Sequence, residues 1–318
     1  MISLRASIPA LICALMLGAC GATENATVPA SRVQAGALQP TGSSYKIYVA
    51  NIGDGTINTF EPDGTQTSPT IAIGNYLYAI AIAPTGKIYA VTFDPLDGPS
   101  SDATVTSYKP DGTQTTPTIT IKERGYAVPL GLAVDRNGKI YVLSSKHNGS
   151  RGLVMTYKPD GTRTAPTFRT GVDSGGIAID ANGKIYVAND TPHGLSSITT
   201  YLSDGSATTP TITRGVHDPA GIAVAQDGTI YVANTNSRGH DGTGAGFITS
   251  YSADGSGPLH LARDRNQAPG GIALARNKVY VASSSAYSDS LKTYNLDLQR
   301  IAPTVTNGLY EPSGIAIH

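Results

Sequence analysis

The chain has 318 residues, with 23 basic and 23 acidic side chains and a formal net charge of zero. Because a neutral chain without basic runs lacks the electrostatic footprint of a nucleic-acid-binding protein, we exclude nucleic acid as a partner. Gly and Pro are abundant, at 36 and 20 residues, and Trp is absent. Together with frequent Tyr, Val, Ile and Thr, this composition favours many short strands and turns over helices, and so an all-β fold.

The first twenty residues are typical of an export signal. Arg5 supplies positive charge, residues 8–17 form an apolar core too short to span a bilayer as a permanent helix, and Leu-Gly-Ala-Cys follows at 17–20. This last motif resembles the lipobox of bacterial lipoproteins, which implies cleavage before Cys20 and a lipid attached to it. The alternative is an ordinary cleaved signal in which Cys20 is incidental. Lipidation predicts an exported protein of the cell envelope, held at a bacterial membrane on its periplasmic or surface side.

Residues 21–44 are Ala, Thr, Ser, Gly, Gln and Pro without an apolar period, which is typical of a flexible tether. Residues 45–318 form the folded domain. The only other cysteine, Cys13, lies inside the signal, so we expect no disulfide in the mature chain. No segment after Cys20 is apolar for long enough to predict a membrane span.

Two short apolar strands joined by a tight turn form a phrase that repeats along the chain. It is clearest at residues 176–189, as Gly-Ile-Ala-Ile-Asp-Ala-Asn-Gly-Lys-Ile-Tyr-Val-Ala-Asn. The other copies lie at 79–92, 131–144, 221–234 and 271–283, with one more divided between 46–51 and 314–318. A second phrase alternates with it: a strand ending in Phe or Tyr, a turn such as Pro-Asp-Gly-Thr, and a strand such as Pro-Thr-Ile-Thr. The repeat unit is therefore four strands.

The spacing of the repeat predicts the number of sheets. The tyrosine of the second strand recurs with separations of 41, 52, 45, 45 and 49 residues, at Tyr48, Tyr89, Tyr141, Tyr186, Tyr231 and Tyr280. Four strands repeated every forty to fifty residues are the sequence signature of a β-propeller. Six copies predict six blades, each a four-stranded antiparallel sheet.

The divided copy predicts how the ring closes. Residues 314–318 are expected to form the innermost strand beside residues 46–51, so that one blade is completed from both ends of the chain. An open ring would leave strand edges unpaired and apolar faces in water. Removal of the last five residues is therefore expected to destabilise the whole domain.

The unit Gly-Ile-Ala-Val-Asp followed by Gly-x-Ile-Tyr-Val-Ala resembles the NHL repeat and its relatives in the SMP-30/gluconolactonase-like and streptogramin-lyase-like propellers. The resemblance covers residues 45–318 and implies the fold rather than a particular activity, since one fold hosts unrelated functions. The family commonly has Asp after Ile-Tyr-Val-Ala. This chain has small neutral side chains there, at Asn51, Thr92, Ser144, Asn189, Asn234 and Ser283. That departure argues against a metal cage at those positions.

The two faces of such a propeller differ in their connections. The first-to-second and third-to-fourth turns are short and nearly identical, which is typical of structural turns. The second-to-third and fourth-to-first connections vary in length, and repeat proteins usually bind through variable loops on one rim. The candidate ligand-binding residues on this rim are His147, His193, His217, His240, Asp190, Asp218, Asp241, Arg214, Tyr126 and Tyr310.

Four of the six histidines fall on this rim, and imidazole suits both proton transfer near neutral pH and coordination of zinc or copper. No His-x-x-x-His or similar ligand spacing occurs, so solvated loop histidines are the competing interpretation. The lactonase-like relatives use an acidic metal ligand, and the lyase-like ones use a His with nearby Glu. Neither stands in a matching motif here. Catalytic and metal-ligating residues are therefore left unassigned, and a divalent metal is the alternative to a site without a cofactor.

These features predict a lipid-anchored, extracytoplasmic binding propeller, monomeric and without a required cofactor. Its variable rim would hold a partner protein, a glycan or a small ligand. The alternative is a hydrolase or lyase similar to the lactonase or streptogramin-lyase propellers, in which a rim histidine acts as base or metal ligand and a neighbouring aspartate orients it. A third interpretation is a purely structural component of the envelope.

Overall fold

The computed structural model describes residues 44–74, 76–93, 102–122, 128–145, 151–191, 196–236, 245–264, 267–285 and 288–318. These residues form twenty-four strands in six antiparallel four-stranded sheets, and none of them is helical. The innermost strands of neighbouring sheets contact one another in a closed ring. The chain is therefore a six-bladed β-propeller, as the repeat predicts. Within the described ranges, it has no apolar helix of membrane-spanning length.

The blades follow one another in chain order, and only blade 1 combines distant segments. Blade 1 consists of β1 (Ile47–Asn51), β2 (Thr56–Phe60), β3 (Gln66–Ala72) and the last strand, β24 (Pro312–Ile317). Blade 2 consists of β4 (Leu77–Ile82), β5 (Ile88–Thr92), β6 (Ala103–Tyr108) and β7 (Gln114–Ile121). Blade 3 consists of β8 (Val128–Val134), β9 (Ile140–Ser145), β10 (Arg151–Tyr157) and β11 (Arg163–Val172).

Blades 4–6 have the same order of strands from the axis outward. Blade 4 consists of β12 (Ser174–Ile179), β13 (Ile185–Asn189), β14 (Ser197–Tyr201) and β15 (Ala207–Ile212). Blade 5 consists of β16 (Pro219–Val224), β17 (Ile230–Asn234), β18 (Gly246–Tyr251) and β19 (His260–Asp264). Blade 6 consists of β20 (Ala268–Ala275), β21 (Lys278–Ser284), β22 (Ser290–Asn295) and β23 (Arg300–Val305).

Pairing of β24 with β1 closes the ring, which confirms the prediction from the divided repeat. The two strands are antiparallel, and Ile47 lies opposite Ile317. Just beyond them, the Lys46 N–H donates to the His318 C=O at 2.7 Å, and the His318 N–H donates to the Lys46 C=O at 3.1 Å. Ile315 and Ile317 are also buried, so the last residues contribute to the core as well as to the sheet.

Glycine on the innermost strands allows neighbouring blades to approach closely around the axis. A Cβ atom added at Gly176 would lie 2.5 Å from the carbonyl oxygen of Ala220, in the next blade. The same atom at Gly221 would lie 2.5 Å from the carbonyl oxygen of Gly270. Because a larger residue would overlap this backbone, packing around the axis explains the glycine of the Gly-Ile-Ala phrase.

The tyrosines that set the repeat period lie buried between blades. Each of the six is at most 3% exposed, and burial raises the pKa of each phenol, that of Tyr231 to about 12. The Tyr231 O–H donates to the Leu296 C=O of blade 6 at 3.0 Å. The hydroxyls of Tyr280, in blade 6, and Tyr45, beside blade 1, share a hydrogen bond of 2.6 Å. These side chains therefore join one blade to the next.

The turn face, formed by the first-to-second and third-to-fourth turns, repeats one turn structure in most blades. In five third-to-fourth turns an aspartate Oδ1 accepts the N–H two residues later at 2.8–2.9 Å, at Asp63, Asp111, Asp160, Asp204 and Asp254. Lys87 and Lys139, each just before a second strand, donate to the carbonyl oxygens of Thr116 and Ala165, which both precede a cis-proline. The repeated side chains of this face thus satisfy backbone groups.

Candidate functional site

The variable face is formed by the second-to-third and fourth-to-first connections. Five of its ten candidate residues lie in the described ranges: Asp190, Arg214, His217, Asp218 and Tyr310. The other five, His147, His193, His240, Asp241 and Tyr126, lie outside the described residues, as does the lipidation candidate Cys20. The geometry of the site therefore comes from the first group and from the residues around it.

Asp190 and Asp218 are linked at the junction of blades 4 and 5. Asp190 follows β13, Asp218 precedes β16, and both are buried. Ser196 connects them, because its hydroxyl donates to Asp190 Oδ1 at 3.1 Å and accepts the Asp218 N–H at 3.3 Å. Asp218 has a φ of +46°, in the left-handed region that Asp adopts more readily than most residues. This conformation turns the connection into the innermost strand and brings the two predicted aspartates into one junction.

His217 is held at the same junction through its backbone. Its N–H donates to Asn234 Oδ1 at 2.9 Å, and Asn234 Nδ2 donates to Thr249 Oγ1 at 3.1 Å. The imidazole packs edge-on against Phe247, with 5.8 Å between the ring centres. The junction therefore combines an imidazole with the buried carboxylate of its chain neighbour, Asp218. Such groups can orient a polar ligand or exchange a proton with it.

Asn51 has in blade 1 the role that Asn234 has in blade 5. Asn51 Oδ1 accepts the N–H of Tyr310 at 3.2 Å, so Tyr310 stands where His217 stands. Glu311 follows with a φ of +51° and leads into β24. The Tyr310 side chain is 56% exposed, which makes it the most exposed of the large apolar side chains in the described ranges. The same backbone support thus presents a different side chain in each of these two blades.

In blades 4 and 6, residues at the ends of the second strands form hydrogen bonds with other partners. Asn189 Oδ1 accepts a hydrogen bond from Ser174 Oγ at 2.7 Å, and Ser283 Oγ donates to Asp264 Oδ2 at 2.5 Å. Among the described residues, no group of three or more His, Cys, Asp or Glu side chains is arranged to hold a metal ion. These small neutral side chains therefore stabilise the connections of the variable face.

A buried ion pair between blades 5 and 6 was not predicted from the sequence. The Lys292 ammonium contacts Asp264 Oδ1 and Gln267 Oε1, and the side chains of Lys292 and Asp264 are 7% and 3% exposed. Ser290 Oγ also donates to Gln267 Oε1, at 2.6 Å. Burial lowers the pKa of Lys292, and the contact with Asp264 opposes that shift. Buried charge is costly without a partner, so this pair fixes the connection into blade 6.

The sequence signal for Lys292 was a break in the repeat. Thr199, Thr249 and Met155 occupy the equivalent position in blades 4, 5 and 3, each opposite the valine of a second strand. A lysine at an inward position of a buried strand requires a partner, so the break could have been recognised. The partner, Asp264, lies in the outermost strand of the preceding blade, and the repeat gives no sign of it.

Arg214 lies apart from these contacts, in the connection from blade 4 to blade 5. Its C=O accepts the Tyr251 O–H at 2.9 Å, which ties its backbone to blade 5. The side chain is exposed and is available to an anionic group on the variable face.

Comparison with known proteins identifies the fold. No protein-family model and no curated protein match the chain. A chain of the nidogen/laminin complex has a TM-score of 0.64 at 16% identity, over 86% of this chain and 98% of that one. A gluconolactonase from Xanthomonas campestris has a TM-score of 0.52 at 16% identity, over 74% and 77%. The PQQ-bound aldose sugar dehydrogenase from Streptomyces coelicolor has a TM-score of 0.55 at 13% identity, over 84% and 94%. At such identities the likeness concerns architecture, so the chain shares the six-bladed propeller fold of gluconolactonase-like and dehydrogenase propellers.

Proposed function

We propose that this chain is an extracytoplasmic binding propeller, anchored by lipid at Cys20, whose variable face holds a partner protein. One of the similar structures is a complex of nidogen with laminin, which supports a protein as the partner. The binding function needs no cofactor. Glycans and small ligands are the other classes that the same face could accept.

One observation carries the proposal: in blades 1 and 5 the variable face has the same backbone support but presents different side chains. Asn51 and Asn234 each accept a backbone N–H of the fourth-to-first connection, but the residues they support are Tyr310 and His217. A rigid support reduces the entropy lost when a partner binds, and exposed tyrosine supplies a large contact area with few rotatable bonds. This is the arrangement expected of a recognition surface.

The position of the first described residues supports the orientation that the proposal requires. Tyr45 lies on the turn face, where its hydroxyl bonds that of Tyr280 and Arg276 stacks over its ring, 5.6 Å from the centroid. The tether predicted for residues 21–44, of which only Ser44 is among the described residues, would have a root-mean-square span of about 25–30 Å. Anchoring at Cys20 would therefore allow the turn face to approach the membrane while the variable face points toward a partner.

The test is photocrosslinking from each face in intact cells. Benzoylphenylalanine replaces Tyr310 on the variable face or, as the matched control, Asp160 in a turn of the opposite face. We expect a discrete protein adduct from position 310 only, and its loss when His217→Ala is added. Equal adducts from both positions, or an adduct that His217→Ala leaves unchanged, would contradict binding through the variable face.

A second function, hydrolysis of a lactone or ester or a lyase reaction, is favoured by the junction of Asp190, His217 and Asp218. In that case His217 acts as the general base and Asp218 orients it. A lactone and ester screen of the purified protein separates the two functions. Turnover that is lost in His217→Ala and retained in Tyr310→Ser would replace the binding proposal with the enzymatic one.

A further inference from the structure

Exposed aliphatic side chains of the described residues concentrate in three consecutive blades. Leu202 is 47% exposed, Leu259 is 51%, Leu261 is 48% and Ile301 is 36%. Single exposed apolar residues are ordinary on a protein surface. Here the four share a location, because each lies in, or just after, a third-to-fourth turn of blade 4, 5 or 6. All of them are therefore close to the turn face.

Blade 5 departs from the repeat at this location. The exposed position of Leu261 carries threonine in the other five blades, at Thr70, Thr118, Thr167, Thr211 and Thr304. Leu259, which is also exposed, lies two residues earlier, just before the outermost strand. An outermost strand is a sheet edge, and proteins usually make such edges polar. Two leucines there indicate a surface that is covered in the working state of the protein.

The same face carries the entry of the chain into the propeller. Tyr45 directly follows the predicted tether, and its side chain packs against Tyr280 and Arg276 of blade 6. Charged side chains of both signs lie near the aliphatic residues, and Asp204 and Asp254 accept N–H groups within their own turns. His260 lies 3.5 Å from Asp297, and Arg300 stands beside Ile301. The attractive contribution of these four residues to a contact would therefore come from burial of their apolar surface.

We propose that the turn-face side of blades 4–6 rests on the phospholipid bilayer, with Leu202, Leu259, Leu261 and Ile301 in its interfacial layer. This inference depends on the lipid anchor of the proposed function. A lipid near the N-terminus keeps the chain close to the surface, and a modest apolar patch then adds a second, reversible contact. That contact fixes the tilt of the propeller and holds the variable face outward.

The absence of tryptophan makes the depth of single sites measurable. The full-length lipidated protein, with Leu259→Trp as its only tryptophan, is reconstituted into vesicles of zwitterionic phospholipid with or without bromine on the acyl chains. Tyr310→Trp, on the variable face, is the matched control. Leu202→Trp is a second probe in case the first variant fails to fold. We expect brominated lipid to quench the emission of Leu259→Trp and Leu202→Trp but not that of Tyr310→Trp.

Flotation of the vesicles separates this inference from the anchor on which it depends. If the protein floats but the turn-face tryptophans are quenched no more than the control, the bilayer contact is overturned and the anchor stands. If the protein does not float, the anchor and the contact are both overturned. If sedimentation shows a dimer that Leu261→Ser dissociates, without lipid quenching, the patch is a surface for a second copy instead.

Discussion

The two faces of this propeller are built from the same strands but use their polar side chains differently. On the turn face, Asp160 and Asp254 each accept the N–H two residues later, and the same bond recurs in three more blades. On the variable face, Asn234 and Asn51 support His217 and Tyr310 in the same way, but the second strands of blades 4 and 6 end in other arrangements. The comparison teaches that repetition on one face stabilises the ring, while the other face retains a rigid support and changes what it presents.

Deletion of residues 314–318 should have the largest effect, because β24 runs from one face to the other. It removes Ile315 and Ile317, both buried, and the pairing with β1. Each buried isoleucine contributes about 2–5 kcal/mol, so the loss approaches the stability of an ordinary domain, about 5–15 kcal/mol. We expect the shortened chain to show no cooperative transition in thermal unfolding followed by circular dichroism.

The matched control for this deletion is His318→Ala. It keeps the backbone N–H and C=O that pair with Lys46, so its transition should stay close to that of the unaltered protein. If the shortened chain melted at the same temperature as the control, closure of the ring by β24 would not be required for the stability of the domain.

Lys292→Met should cause the next largest loss of stability, and it tests the contribution of the buried ion pair between blades 5 and 6. The substitution leaves the Asp264 carboxylate buried without its cation, which costs about 3–5 kcal/mol in comparable pairs. Methionine is a fair replacement, because Met155 occupies the equivalent position in blade 3. Chemical denaturation of the purified protein measures the difference in free energy of unfolding.

The control for Lys292→Met is the double substitution with Asp264→Leu. Removing both charges relieves the unpaired carboxylate, so most of the lost stability should return. A double variant as unstable as the single one would mean that packing, rather than charge, holds the junction of blades 5 and 6.

Much of the fold could be predicted from the sequence because the turn face repeats. The repeated Gly-Lys-Ile-Tyr segment allows the copies of the repeat to be aligned residue by residue. The two parts of the divided copy, 46–51 and 314–318, could therefore be assigned to one blade from the sequence. The third strands end at the predicted aromatic residue in five blades, while β22 continues one residue further, to Asn295. Local turn chemistry and a recurring four-strand unit were sufficient for this level of detail.

The site was only partly predictable, because its contacts join residues outside the repeat. Asp190, His217 and Asp218 were placed on one rim by topology alone, but the bridging hydroxyl of Ser196 depends on a distance between two connections. The Lys292–Asp264 pair depends on two strands of different blades. Contacts of this kind arise from tertiary packing, and a period in the sequence does not encode them.

Gly221→Ala tests the packing that both faces share around the axis. The added Cβ would lie 2.5 Å from the Gly270 carbonyl oxygen, and neither backbone can move without its blade. We expect a loss of about 1–3 kcal/mol in chemical denaturation. Ala79 occupies the equivalent position in blade 2, so Ala79→Gly is the control and should change stability by about 1 kcal/mol or less. Equal losses in both variants would show that the position is not governed by this close approach.

The smallest effect on stability should come from substituting an exposed carboxylate of the turn face, Asp254, and it should depend on pH. Hydrogen bonds from Ser252 and Ser256 lower the pKa of Asp254 to about 2, below its ordinary value of 3.8. Because the folded-state pKa is the lower one, the bonds stabilise the protein above pH 3.8, and this contribution disappears as the pH falls toward 2. Asp254→Asn should therefore melt slightly below the unaltered protein at pH 7, and the gap should close near pH 2. A gap that widens on acidification would mean that the carboxylate is not what these turns stabilise, and the uniformity of the turn face would need another cause.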